Sequence, residues 1–352
     1  MKQKILLVLI AIFFIVINSC NDDIVGPQLS RRDYVWTVDT LKPFDGAPPF
    51  QLWMMSMWGS DTNNIFVGGH SGVVVGTILK YDGQKWKPLD LPSTYAFAEI
   101  RQILGFDKND VFFIGSSDFE NPQTGVFIDS SLIYHYNGST IDIMLEGEGR
   151  ALYTIAGAKN ELYTAGHEKI FFKYDGVNWK KEEFKFYIPP EAKDRWCTSI
   201  LKRKNGDLWM NYYTSVGAQE IYYAYQLIKR GNDWVKIDSV KRPEERFKWS
   251  GKLWETPDGV LYAVGNSLSF FDGTNWCFLL GHETIQCIDG TSSNNIFACG
   301  ERVFHYNGRD WQEFKELTGK YGEAQAVQCI QGQVFILFSN YSKSFIVRGR
   351  LK

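Results

Sequence analysis

Short apolar runs, each preceded by a polar turn and bounded by Asn, Asp and Gly, recur along the chain. Such runs include Asp110-Val111-Phe112-Phe113-Ile114-Gly115, Glu161-Leu162-Tyr163-Thr164-Ala165-Gly166 and Asn295-Ile296-Phe297-Ala298-Cys299-Gly300. Their length and their Ile, Val, Phe and Tyr content suit a pleated, packed surface, so they predict strands. No long stretch carries the 3.6-residue period of an amphipathic helix. One segment breaks the pattern. After Lys2 and Lys4, an unbroken apolar run extends from Ile5 to Ile17.

The strands recur in pairs. One half of the unit reads Trp58-Gly59-Ser60-Asp61-Thr62-Asn63-Asn64-Ile65-Phe66-Val67-Gly68, the other Ile78-Leu79-Lys80-Tyr81-Asp82-Gly83-Gln84-Lys85-Trp86. The second half returns as Tyr174-Asp175-Gly176-Val177-Asn178-Trp179, Phe271-Asp272-Gly273-Thr274-Asn275-Trp276 and Tyr306-Asn307-Gly308-Arg309-Asp310-Trp311. Asp-Gly and Asn-Gly suit tight turns because they tolerate positive φ. The turn-final Trp offers a large apolar surface to an adjacent sheet. Turn glycines from Gly83 to Gly349 lie about 35 to 55 residues apart, the length of one four-stranded blade. The chain ends after only three strands of a last unit, and Asp33-Tyr34-Val35-Trp36-Thr37-Val38 reads as an orphan fourth strand. Supplying it to the last blade closes a ring and removes its edges. The expected fold is therefore all-β: a seven-bladed β-propeller over residues 33–352, closed by its N-terminal strand.

The apolar run is about 13 residues long, which fits a signal-peptide core and is short for a membrane span. Its end, Ile17-Asn18-Ser19-Cys20, resembles the lipobox of bacterial lipoproteins, with Asn18 where a smaller residue is commoner. That resemblance implies a leader over residues 1–20, lipid on Cys20, a polar tether over 21–32, and a cell-envelope location, with the membrane held through the lipid. The chain has 38 basic and 40 acidic residues. Losing Lys2 and Lys4 leaves a net charge of about −4, without the basic footprint of a nucleic-acid binder. Cys197, Cys277, Cys287, Cys299 and Cys329 remain. Their odd number and lack of C-x-x-C spacing imply neither a zinc site nor a disulfide framework.

The units resemble the propeller repeats of secreted bacterial proteins, lipoproteins included, that pair an N-D-I-x-x-x-G half with a Y-D-G-x-x-W half. Kelch repeats are more distant, since their paired glycines occur only at Gly68-Gly69. The Asp-box of sialidases differs in spacing, so Asp82, Asp175 and Asp272 are read as turn residues. The resemblance implies a fold and leaves the function open, because propellers host unrelated activities.

Propeller geometry gathers the starts of the innermost strands at one channel mouth, the face with the long loops. Counting back twelve residues from an early position of each second strand gives Trp53, Glu99, Arg150, Trp196, Trp249, Thr284 and Gly322; fourteen back lies His282. Trp53, Glu99, Arg150, Trp196, Trp249 and His282 are the expected binding residues, since flat aromatics beside charged groups suit a sugar or a peptide. Packing of the Trp rings between blades competes with that reading. His70, His167, His282 and Glu301 lack a metal-fixing motif and are read as surface residues. The expected function is non-catalytic recognition of a glycan or protein, without a cofactor. A glycosidase or lyase acting on exported polysaccharide is the alternative, with Glu99 and Glu148 as its acid and base.

Overall fold

The computed structural model describes residues 29–42, 51–71, 74–92, 97–120, 127–147, 149–188, 190, 192, 194–216, 221–242, 249, 251–281, 283–340 and 342–352. The expected leader, Cys20 and His282 lie outside the described residues. Every regular element is a strand, and the strands form seven four-stranded antiparallel sheets. Blades 1 to 6 are residues 52–88, 97–146, 152–181, 194–242, 252–281 and 285–313; blade 7 joins 323–351 to 34–40. The protein is a seven-bladed β-propeller, as the repeat predicts.

The ring closes as expected. Tyr34–Thr40 runs antiparallel to Ser344–Leu351, with Trp36 opposite Gly349. A side chain at Gly349 would collide with the Trp36 ring, so the glycine makes the seat in which that indole lies. Just upstream, the Ser30 amide donates to the Asn307 carbonyl (3.0 Å), and Arg32 pairs with Asp310 at 2.6 Å. The end of the expected tether is thus laid onto blade 6.

Each repeated residue has a local task. In the turns, Asp82 Oδ1 accepts the amides of Gln84 and Lys85, Asp175 those of Val177 and Asn178, and Asp272 those of Thr274 and Asn275. These amide donors, with Lys87 beside Asp82 and Lys180 beside Asp175, hold the carboxyls well below the usual range. The following glycines, such as Gly83 at φ 91°, take the left-handed conformation that a side chain would resist. The turn-final indoles pack on the preceding ring, Tyr81 to Trp86 at 5.1 Å and Phe271 to Trp276 at 5.3 Å.

A second cross-strand device explains two of the histidines. Phe112 faces His135 and Phe297 faces His305, each pair with centroids 4.4 Å apart. The imidazoles are tied to Asp110 and Asn295 at 2.8 Å. In blades 1 and 7 the same place holds a cation, Lys80 over Phe66 and Arg348 over Phe335. Burial pushes the His305 pKa down to about 4, with the nearby Arg32 charge adding to the shift. These histidines belong to blade packing.

Among the described residues, one apolar cluster fills each of the seven contacts between neighbouring blades. Polar latches cross five of those contacts between innermost strands. Gln102, Thr154, Ser199, Asp289 and Gln328 accept the amides of Ile155, Ile200, Leu253, Cys329 and Gly59. An amide that would otherwise lack a partner near the axis thereby joins one blade to the next.

Candidate functional site

The innermost strands are Leu52–Asp61, Phe97–Asp107, Leu152–Ala158, Asp194–Lys202, Lys252–Glu255, Ile285–Ser292 and Glu323–Ile330. Six of them slip in register against the second strand at the same place. The slips fall between Met54 and Ser56, Ile100 and Gln102, Leu152 and Thr154, Cys197 and Ser199, Ile285 and Cys287, and Ala324 and Ala326. A bulge sets two residues against one on the partner strand and turns the extra side chain off the alternation. The extra residues are Met55, Arg101, Tyr153, Thr198, Gln286 and Gln325. Blade 5 lacks the slip and reaches the same place with Lys252, which opens its short strand after Gly251 at φ 70°.

The bulge explains the glycine that ends the first half of the repeat. At Gly69, Gly115, Gly166 and Gly300 a Cβ would collide with the carbonyl oxygen of Trp53, Glu99, Ala151 and Thr284 respectively. In these four blades the missing side chain lets the innermost strand approach closely before it bulges, whereas blades 4 and 7 carry Tyr212 and Phe338 at the same place and bulge as well.

All seven ring residues line one cavity of about 380 Å³ on the axis. The rest of its wall is Gly251, Val264, Gly265, Asn266, Thr284 and Ile285. Arg101 lies over the Tyr153 ring at 4.7 Å and pairs with Glu99, which stands outside the lining. Thr198 Oγ1 donates to the Gly251 carbonyl at 3.2 Å, and Gln286 Nε2 to Glu323 Oε2 at 2.8 Å. Lys252 touches the water of the lumen, yet the surrounding blades strip bulk solvent from its ammonium and lower its pKa; Cys287 opposes that shift. No hydrogen bond or ion pair to the Lys252 side chain occurs among the described residues.

The residues singled out by counting sit ahead of this ring. Trp53 pairs with His70 in blade 1, and Glu99 pairs with Ser116 in blade 2, each two residues before a ring position. Trp196 is partly buried, stacked on Tyr213 at 5.9 Å with Tyr222 edge-on. Arg150 is exposed just before the innermost strand of blade 3, and its carbonyl accepts from Ser131 at 2.6 Å. Trp249 is fully buried in the contact between blades 4 and 5, with Nε1 donating to Asp238 Oδ2 at 2.6 Å. It packs and presents no face to the lumen. None of these five lines the cavity; of that row only Thr284 does. Glu148 lies outside the described residues. The ring is nine or ten residues back from the counting positions, two or three residues nearer the second strand than the count assumed.

No protein-family model and no curated protein sequence matches the chain. Solved structures do match. One of YCF48 bound to a D1 peptide is similar over 93% of this chain and 99% of its own, with a TM-score of 0.59 at 16% identity. Another is YCF48 from Cyanidioschyzon merolae, covering 90% and 98%, with a TM-score of 0.52 at 11% identity. The Pan2 WD40 domain of Neurospora crassa covers 92% and 97%, with a TM-score of 0.55 at 9% identity. The likeness is one of fold. At such identities it places this chain among propellers and carries no residue of a site across.

Proposed function

We propose that the chain is a binding module that holds a peptide segment of a partner protein in the mouth of its central channel. The observation that carries this reading is the cavity to which each blade contributes one side chain, seven residues of six different types. A wall of unlike groups at one place is what selective recognition needs, with apolar surface for affinity and a few polar groups for orientation. The similar YCF48 structure is one bound to a peptide, which supports the reading by analogy of fold alone. A peptide suits the wall better than a glycan does. Sugar rings lie on exposed flat aromatics, and here Trp249 is buried, the one aromatic of the described lining, Tyr153, is covered by Arg101, and Met55, Val264 and Ile285 make the rest of the apolar wall.

Residues 1–20 would be the leader and 33–352 the module, held in the cell envelope through lipid on Cys20. Cys20→Ala should then release the protein from membranes and abolish metabolic lipid labelling; labelling that survives rejects that anchor.

The binding reading is tested by plugging the channel. A library of arrayed ten-residue peptides is probed with the purified chain and with Thr198→Trp, which fills the lumen and gives up only the Thr198 hydroxyl's bond to the Gly251 carbonyl. Peptides retained by the parent protein should lose binding by roughly tenfold or more in the variant, whose thermal unfolding should stay near the parent value. Equal retention by both proteins refutes the channel as the site.

A further inference from the structure

Among the described residues, the cavity lining contains Arg101 and Lys252 and no acidic residue. Arg101 is neutralised by Glu99 behind it and fixed over the Tyr153 ring. Glu323 stands at the exposed rim, outside the lining, where Gln286 hydrogen-bonds it. Lys252 is different. It is the cation of blade 5, the blade in which the bulge is missing, and its ammonium meets no carboxylate among the described residues.

We infer that Lys252 is a specificity residue that receives one carboxylate, an Asp or Glu side chain of the bound peptide, in the throat of the channel. The inference rests on the reading that the channel mouth binds a peptide. Charge count favours a single carboxylate over a phosphate group. With Arg101 already paired, one uncompensated positive charge faces the lumen, and a dianion would leave a charge unmet. Chemistry favours an ammonium for this task as well: three donors on a flexible stem can follow a carboxylate that arrives on a mobile chain. The neighbours complete the fit. Thr284, Asn266 and Gln325 supply neutral polar groups, and Met55 and Ile285 flank them with apolar surface. Lys252 is exposed to the lumen, and the surrounding wall fixes where a carboxylate that pairs with it would sit.

The test uses the peptides retained in the array and lost with Thr198→Trp. Each is remade with every Asp or Glu changed singly to Asn or Gln, and each is measured against the parent protein, Lys252→Met and Lys252→Glu. One acidic position per peptide should matter, its neutralisation weakening binding by roughly thirtyfold. Lys252→Met should produce the same loss, and the two changes together should cost no more than either alone. Lys252→Glu should select peptides in which that position is Lys, a gain that a folding defect cannot give.

If channel-bound peptides are indifferent both to their own acidic residues and to Lys252→Met, the carboxylate assignment is overturned while peptide binding stands. If peptides fail to bind but oligogalacturonate binds in a Lys252-dependent way, with neutral oligogalactose as control, the carboxylate comes from a glycan and the peptide assignment is overturned. Failure of every probe overturns both.

Discussion

Trp36 is the residue on which ring closure depends most, and removing it tests the closure energetically. It lies on Tyr34–Thr40, stacked on Tyr34 at 5.5 Å and edge-on to Phe314 at 5.2 Å, in the cluster between blades 6 and 7. Its Nε1 reaches Glu316 at 3.3 Å on the exposed side, so the ring is only partly buried. Truncating a fully buried Trp costs about 3–5 kcal/mol, and the exposed edge brings the expectation down to about 2–3 kcal/mol. For a domain of this size each kcal/mol lowers the melting temperature by roughly 2 °C. Trp36→Ala should therefore melt roughly 5 °C early by circular dichroism or calorimetry. Val35→Ala, one residue away and 49% exposed, is the control and should change little. A further consequence follows from the edge. If the first strand detaches, Ser344–Leu351 offers unpaired backbone to other chains, so Trp36→Ala should aggregate on warming sooner than its stability loss alone implies. Equal melting of Trp36→Ala and Val35→Ala would refute the closure argument.

Two further outcomes can be checked. Burial pushes the Asp289 pKa up to about 6, against the pull of amide donors at Cys329 and Gly290. The folded state then binds the proton more tightly than the unfolded one, so this contribution is fully present below about pH 4 and is lost as pH rises through 6. Asp289→Asn keeps an acceptor for the Cys329 amide, should flatten that decline, and should raise stability at pH 7 by about 2–3 kcal/mol, read by denaturant titration across pH 4–7; an unchanged pH profile counts against the buried-carboxylate account. Trp249→Ala should cost about 3–5 kcal/mol with or without ligand, because it opens a cavity between blades 4 and 5; a stable variant that binds peptide weakly would return Trp249 to the site.

The fold was legible because its determinants repeat. A tight turn of this kind uses a residue such as Asp82 to accept two amides and a glycine such as Gly83 to take a positive φ, and blades 3 and 5 solve the same problem in the same way. The Tyr-Asp-Gly-x-x-Trp spacing and the orphan strand at the N-terminus are visible as pattern before any coordinate is known. The blade glycine was also visible, though its task was not. Only the structure shows that Gly69, Gly115, Gly166 and Gly300 sit where the innermost strand comes closest before it bulges.

The site was illegible for the complementary reason. Its side chains turn to the lumen at a bulge that carries no fixed residue type, so nothing in the sequence marks the place, and a count of twelve residues passed the ring by two or three. Met55, Arg101, Tyr153, Thr198, Lys252, Gln286 and Gln325 show no repeat, because the bulge requires only that something occupy each place. Blade stacking constrains the positions that face other blades, and there the chain repeats itself. At the lumen the ring side chains meet only a few neighbours, such as Thr198 to Gly251 and Arg101 over Tyr153, and the seven blades have diverged to six residue types. In a repeat protein, then, the positions that break the repeat at a structurally equivalent place are those where folding has withdrawn its demand. Lys252, in the one blade that also breaks the bulge, is where such a departure would be expected to carry specificity.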